Sequence, residues 1–176
     1  IRINSQSGKG GVGYILEQKY GLKMPAKMRE AMGYAAKSAS DVRHKELSAE
    51  EIYAIFEDTF LNKTAPLNVP ESHYKQNGGI QAEVTICLKG ETIVSTAKGN
   101  GRLDAVSNAI KQTIGLDYKI AVYEEHAMEK GSDSMAMAYV GIEDSDGVLH
   151  WGAGTDEDII KASIKALVTA INTMLV

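Results

Sequence analysis

The chain repeats one supersecondary plan, and a repeat leaves few ways to fold. Between Gly99 and Val176, short alternating strands and Gly-x-Gly ahead of a helical pattern occur twice, first at Gly99-Asn100-Gly101 and again at Gly152-Ala153-Gly154. The pattern predicts two copies of one unit related by a pseudo-two-fold, each closing with a helix whose amino terminus is open to close approach. The first turn of a helix has backbone N–H groups without partners, and the aligned peptide dipoles put partial positive charge there. A carboxylate is a natural ligand at such a place. Glycine on either side of Asn100 or Ala153 would let it reach the backbone without meeting a Cβ. The same pattern also serves as a plain strand-to-helix corner, and the residues alone leave both uses open.

Along the chain, residues 1–64 and roughly 78–176 differ in character. The first part opens on a strand-like Ile1-Arg2-Ile3, passes through a glycine-rich Ser5–Gly11 stretch, and is then mostly helical. Met28, Ala31, Met32, Ala35, Ala36 and Ala39 recur at helical spacing after Pro25. Ser48 followed by Glu51 is a capping box, with Ile52, Ile55, Phe56 and Phe60 as the apolar face behind it. Two prolines and scattered polar residues make Lys63–Pro70 a connector, and the boundary is expected there.

Beyond it, Ile80, Ala82, Val84, Ile86 and Leu88 alternate with polar or small residues, the mark of a strand with one buried face. Lys89-Gly90 turns into Thr92–Ala97, and Leu103, Val106, Ala109, Ile110 and Ile114 form the inner stripe of the helix that follows. The second copy runs through Tyr118–Ala127, Met135–Ile142, a turn at Asp144–Gly147, and Val148–Trp151. It closes with Ile159, Ile160, Ser163, Ala166, Leu167, Ala170 and Ile171. A strand near His73–Gln76 would complete the first unit as βββα. The fold class expected is therefore α+β, a mostly helical N-terminal subdomain followed by a duplicated βββα domain.

Composition narrows the function. A hydrophobic content of 44% over 176 residues can bury a real core, and a net charge of −4 offers no basic field for nucleic acid. Cys87 alone excludes an internal disulfide framework and fits a reducing, cytoplasmic compartment; at an alternating strand position it is expected to be an inert, packed thiol. No apolar run is long enough to cross a bilayer. A start at Ile1-Arg2-Ile3 without methionine reads as a piece of something longer.

Chemistry-bearing motifs are thin. Gly8-Lys9-Gly10-Gly11-Val12-Gly13 resembles the front of a phosphate-binding loop, but Tyr14 and Ile15 stand where its Lys and Ser or Thr belong. His44, His73, His126 and His150 are scattered, without metal-ligand spacing. Strand alternation turns Glu125 away from Glu124 and His126, so that group is expected to be a solvated strand end, and Asp144 and Asp146 suit a turn on backbone grounds. No nucleophile, base and oxyanion site assemble, and no catalytic residue or metal site is expected.

Four stretches together resemble the C-terminal part of the 2-isopropylmalate synthases: Arg2–Gly11; Gly99-Asn100-Gly101 with Asp104-Ala105; Tyr123–Ala127; and Trp151–Gly154 with Asp158–Ser163. The resemblance implies a parent acyltransferase of leucine biosynthesis, whose (β/α)₈ barrel, absent here, binds a divalent metal and condenses acetyl-CoA with 2-oxoisovalerate. Residues 1–64 would be the end of a helical connecting subdomain, 65–77 a linker and possible first strand, and 78–176 a regulatory domain that dimerises and binds leucine as feedback inhibitor. In this view Ser5–Gly11 is a structural connection. Carried over by position, the leucine pocket involves Gly99, Gly101, Leu103, Asp104, Ile120, Tyr123, Ala127, Asp133 and Ser134. Backbone N–H groups near Leu103 and Asp104 would hold the carboxylate, Asp133 the ammonium, and Ile120, Tyr123 and Ala127 the isobutyl group. The twin helix tips would come together across a symmetric pairing of chains. A sister enzyme such as citramalate synthase, or a dimerisation module without an effector, would be the alternative parent or role.

Overall fold

A computed structural model describes residues 9–128 and 134–176. Among them the chain is α+β, with a helical N-terminal part and then two βββα units, each unit built on its own three-stranded antiparallel sheet. The helical part comprises α1 (Lys9–Tyr20), α2 (Ala26–Arg43) and α3 (Ala49–Phe60). The first unit is β1 (Leu67–Gln76), β2 (Ile80–Leu88), β3 (Glu91–Gly99) and α4 (Arg102–Ile114). The second is β4 (Tyr118–Ala127), β5 (Ala136–Asp144), β6 (Leu149–Asp156) and α5 (Ile159–Leu175).

Local chemistry accounts for most of these bounds. At α3, Ser48 Oγ accepts the Glu51 N–H and the Glu51 carboxylate accepts the Ser48 N–H, the reciprocal box read from the sequence. Lys45 and Arg43 also reach Glu51, at 2.9 and 3.3 Å. The hydrogen bond from Lys45 and that from the Ser48 backbone hold the Glu51 carboxyl down to about 2. A depressed carboxylate adds stability above its unfolded pKa and loses it as pH falls toward the folded value. The stability margin of the native chain over Glu51→Gln, which keeps the box, is therefore expected to be constant near neutrality. It should shrink between about pH 4.5 and 2 in urea titrations run across pH, and a pH-independent margin would contradict the assignment.

The glycine-rich start is helix from Lys9, where a connecting loop was expected. Val12, Ile15 and Leu16 recur at helical spacing and are buried in one cluster with Met28, Met32 and Phe56, and that packing outweighs the glycines. Gly13 makes room for α2: a Cβ there would come 3.0 Å from Arg29 Cδ, whose guanidinium donates to Met24 O and Glu17. The expected strand at Ile1–Ile3 and the Ser5–Gly8 end of the loop lie outside the described residues.

The first strand runs from Leu67 to Gln76, so it includes the strand expected near His73–Gln76 and also takes in the second half of the expected Lys63–Pro70 connector. Pro70 is tolerated because β1 is an edge strand and its register shifts between Asn68 and Glu71. At the β2–β3 hairpin Lys89 and Gly90 both take positive φ, 51° and 86°, as a two-residue turn requires. Cys87 is half-buried on the outer face of that sheet, its sulfur 3.5 Å from Thr92 Oγ1, and not packed in the core as expected. The inner-face positions of β2, Ala82, Val84 and Ile86, are the ones α4 covers.

In the second sheet β5 and β6 are buried on both faces, while β4 is largely exposed. Ala138, Val140 and Ile142 join the core shared with α4, α5 and the first unit, while Met137, Tyr139, Trp151 and Ala153 face the cluster of α1–α3. Each fully buried large side chain contributes about 1.5–3 kcal/mol, so the helical part and the second unit are strongly joined. Asn62, just past α3, adds polar stitches: its N–H donates to Ala153 O, and its amide exchanges hydrogen bonds with Thr155.

One motif reads differently in three dimensions. Gly152-Ala153-Gly154 lies inside β6 and does not open a helix. A Cβ on Gly152 would come 2.2 Å from Ala166 O and 2.3 Å from Ala170 N, and one on Gly154 2.3 Å from Ala162 O. These glycines let α5 lie against the strand.

Candidate functional site

The two closing helices begin differently. α5 starts at Ile159 behind Asp158, whose Oδ1 accepts the Ile160 and Lys161 N–H groups. That tip is filled by the chain's own carboxylate, so the expected pair of open tips reduces to one. α4 starts behind Gly101, and among the described residues no side chain caps it. Gly99 is needed for this approach, since a Cβ would meet Ala105 N at 2.4 Å and Asp104 Oδ2 at 2.7 Å. Asp104 turns its Oδ2 to the Asn100 N–H, 2.9 Å away, and not to the first-turn amides. Leu103 packs half-buried on the shared core.

The start of α4 lies against Tyr74 of β1. The Arg102 guanidinium sits over its ring at 5.4 Å. Burial raises the Tyr74 phenol's pKa, Ser72 and Arg102 lower it, and the charge of Asp158 raises it.

β4 supplies the rest. Its register shifts between Ile120 and Val122, and that bulge changes the phase of the side chains. Ile120, Tyr123, Glu125 and Ala127 pair with Ile142, Val140, Ala138 and Ala136, and so share the α5-side face despite the odd spacing from 120 to 123. Tyr123 and Ser163 share a hydrogen bond at 2.6 Å, and the Tyr123 hydroxyl also donates to Glu125 Oε2. Burial, with Glu125 beside it, raises the Tyr123 pKa. The contacts of Ser163, Glu125 and Tyr74 were not legible in the sequence because their partners come from other elements or depend on the bulge.

On the opposite face of β4 lie Val122, Glu124 and His126. His126 is not the solvated strand end expected: its Nε2 is 2.8 Å from Tyr139 Oη and accepts the Lys23 N–H at 3.3 Å. The rings of His126 and Tyr139 stack with centroids 5.4 Å apart.

Among the described residues, no hydrogen bond joins the start of α4 to Tyr123 or Ala127; Leu103 and Ile120 meet only through the shared core. Ser134 is exposed at a φ of 53° ahead of β5, and Asp133 lies outside the described residues. Clefts of about 400 and 380 Å³ open elsewhere, beside the end of α5 and between β1 and α5, and none of the expected site residues lines them. Among the described residues no cluster of three His, Cys, Asp or Glu could hold a metal, and no helix is long and apolar enough to cross a membrane.

Residues 46–175 match the family described as the LeuA allosteric (dimerisation) domain. The chain is 51% identical over 175 residues to a 2-isopropylmalate synthase of Desulfitobacterium hafniense, covering 99% of this chain and 31% of that protein. It is 44% identical to that of Helicobacter hepaticus, covering 99% of this chain and 33% of the relative, and 34% identical to that of Corynebacterium efficiens, covering 99% and 30%. The chain thus spans about a third of the length of the curated relatives it matches.

Proposed function

The chain belongs to the LeuA allosteric (dimerisation) domain family, and from that premise we propose that it is the leucine-sensing, dimerising region of a 2-isopropylmalate synthase. The parent would condense acetyl-CoA with 2-oxoisovalerate in a metal-dependent barrel, a cytoplasmic acyltransferase at the head of leucine biosynthesis. The helices up to residue 64 would close its connecting subdomain, and the two βββα units would form the regulatory domain. A homodimer would bring two such domains together.

The observation that carries the effector reading is the asymmetry of the helix starts. α5 has its tip capped by Asp158, whereas at α4, behind Gly99-Asn100-Gly101, no side chain among the described residues makes a capping hydrogen bond. A leucine carboxylate would take the N–H groups near Leu103 and Asp104. The isobutyl group would lie against Ile120, Tyr123 and Ala127, which the bulge in β4 puts on one face. Its ammonium would pair with Asp133 beside Ser134, and Glu125 is a second carboxylate on the Tyr123 face.

Calorimetry of the chain with leucine, isoleucine and valine tests this. Leucine is expected to bind with preference and to raise the melting temperature, since a ligand at about 100 times its Kd adds about 2.7 kcal/mol. Equal or absent heats for all three would remove the leucine assignment. Binding of valine or isoleucine alone would point to a sister enzyme such as citramalate synthase. A stable dimer indifferent to all three would be a dimerisation module only.

A further inference from the structure

We propose that His126 is the residue through which occupancy of the β4 pocket is transmitted to the α1–α2 connection, because the strand that presents Tyr123 and Ala127 on one face holds Lys23 through His126 on the other. This inference rests on the effector reading above. A strand's two faces cannot move independently, since successive side chains alternate and His126 stands between Glu125 and Ala127. Among the described residues β4 is also an edge strand, hydrogen-bonded to β5 on one side and to no strand on the other.

The protonation of the latch follows from its partners. His126 Nδ1 lies 3.0 Å from the Ala127 carbonyl, which can only accept, so Nδ1 carries the proton and Nε2 is the acceptor. Burial raises the Tyr139 phenol's pKa, which keeps its hydroxyl protonated as the donor to Nε2. The Lys23 N–H, in the segment between α1 and α2, is shared: it lies 3.3 Å from His126 Nε2 and also bonds the Tyr139 hydroxyl oxygen, so His126 on β4 and Tyr139 on β5 hold it together. Any displacement of β4 that moves the imidazole therefore shifts the Lys23 amide, outside both βββα units, from a bond shared with His126 toward Tyr139 alone.

The test is amide exchange at Lys23, with and without saturating L-leucine, beside calorimetry on the same chain. The native chain is expected to change its exchange rate at Lys23 by about fivefold or more, the usual lower range for coupled sites. His126→Phe keeps a stacked ring but no acceptor. It should bind leucine within about threefold of the native affinity, and its exchange at Lys23 should no longer respond. His126→Gln, whose amide oxygen reaches toward the place of Nε2, should restore the response. If leucine binds the native chain and Lys23 does not respond, or if His126→Phe responds like the native chain, the transmission role is overturned and the effector reading stands. If leucine does not bind at all, both fall. The native comparison needs no variant, so a poorly folding substitution does not protect the proposal.

Discussion

Gly152→Ala is expected to destabilise the chain by about 3 kcal/mol or more, at the upper end of what overpacking costs. The added methyl would meet Ala166 O at 2.2 Å, Ala170 N at 2.3 Å and Thr169 C at 2.9 Å, all backbone atoms of α5. No rotamer change can relieve a clash with backbone. The helix must lift off β6, and it carries Ala162, Ala166, Leu167, Ala170 and Ile171 out of the shared core with it. Gly154→Ala should behave alike, because its methyl would meet Ala162 O at 2.3 Å and Ala166 N at 2.6 Å. Gly101→Ala is the control: nothing lies within 4 Å of its Cβ and its φ of −156° is open to any residue, so the cost is that of a poorer cap, about 1 kcal/mol. Thermal and urea unfolding of the three variants would decide. For a chain of this size a 3 kcal/mol loss lowers the melting temperature by about 6–12 °C, and a Gly152→Ala protein melting with the native one would show that α5 does not sit where these distances place it.

The same pair of glycines shows what a sequence can and cannot reveal. Gly99-Asn100-Gly101 and Gly152-Ala153-Gly154 carry one pattern, yet the first precedes α4 and the second lies within a strand under a helix. Local spacing does not tell a corner from a packing groove; the distinction rests on Ala162, Ala166 and Ala170, a turn apart on α5, which is a tertiary fact. Where one face is buried and the other wet, the chain is legible. β2 from Ile80 to Leu88, the turn at Lys89-Gly90 and the box at Ser48 and Glu51 all stand as read. Of β1 only the His73–Gln76 end was legible, because the strand lies at an edge, is largely exposed and is interrupted by Pro70, so neither face imposes alternation along its length. The Lys9–Gly11 start of α1 was hidden because glycines open it, and only burial of Val12, Ile15 and Leu16 against partners from α2 and α3 shows why the helix begins there. In the candidate site, the shared face of Ile120, Tyr123 and Ala127 depends on a bulge with no sequence mark. The Tyr123–Ser163 contact spans forty residues.

Asn172 is the other position where one substitution should have a large effect. It is 2% exposed near the end of α5, and its side chain acts as a substitute backbone for the segment entering β1. Oδ1 accepts the Leu67 N–H at 2.8 Å, and Nδ2 donates to Leu67 O at 2.9 Å and Lys63 O at 3.1 Å. An amide is the side chain that offers an acceptor and two donors to such a segment. Asn172→Ala strands these groups beside a side chain that is itself wholly buried, Leu67, and each buried group left unpaired costs about 1–3 kcal/mol. A loss of about 3 kcal/mol is expected, with amide exchange at Leu67 rising more than at Val84, deeper in the same sheet. Asn172→Asp separates hydrogen bonding from shape. Its carboxylate keeps the acceptor for Leu67 N–H but sets a second oxygen against two carbonyls, so at neutral pH it should be at least as unstable as Asn172→Ala. Protonation returns one donor, and burial among carbonyls favours the neutral acid, so the folded pKa of the new group is raised above its unfolded value. By linkage its deficit should then be smallest below about pH 4 and grow as pH rises through the raised folded value. If Asn172→Asp instead matched the native chain at neutral pH, the two carbonyls would have to be satisfied by other donors, and the tie between α5 and the first strand would not run through this amide.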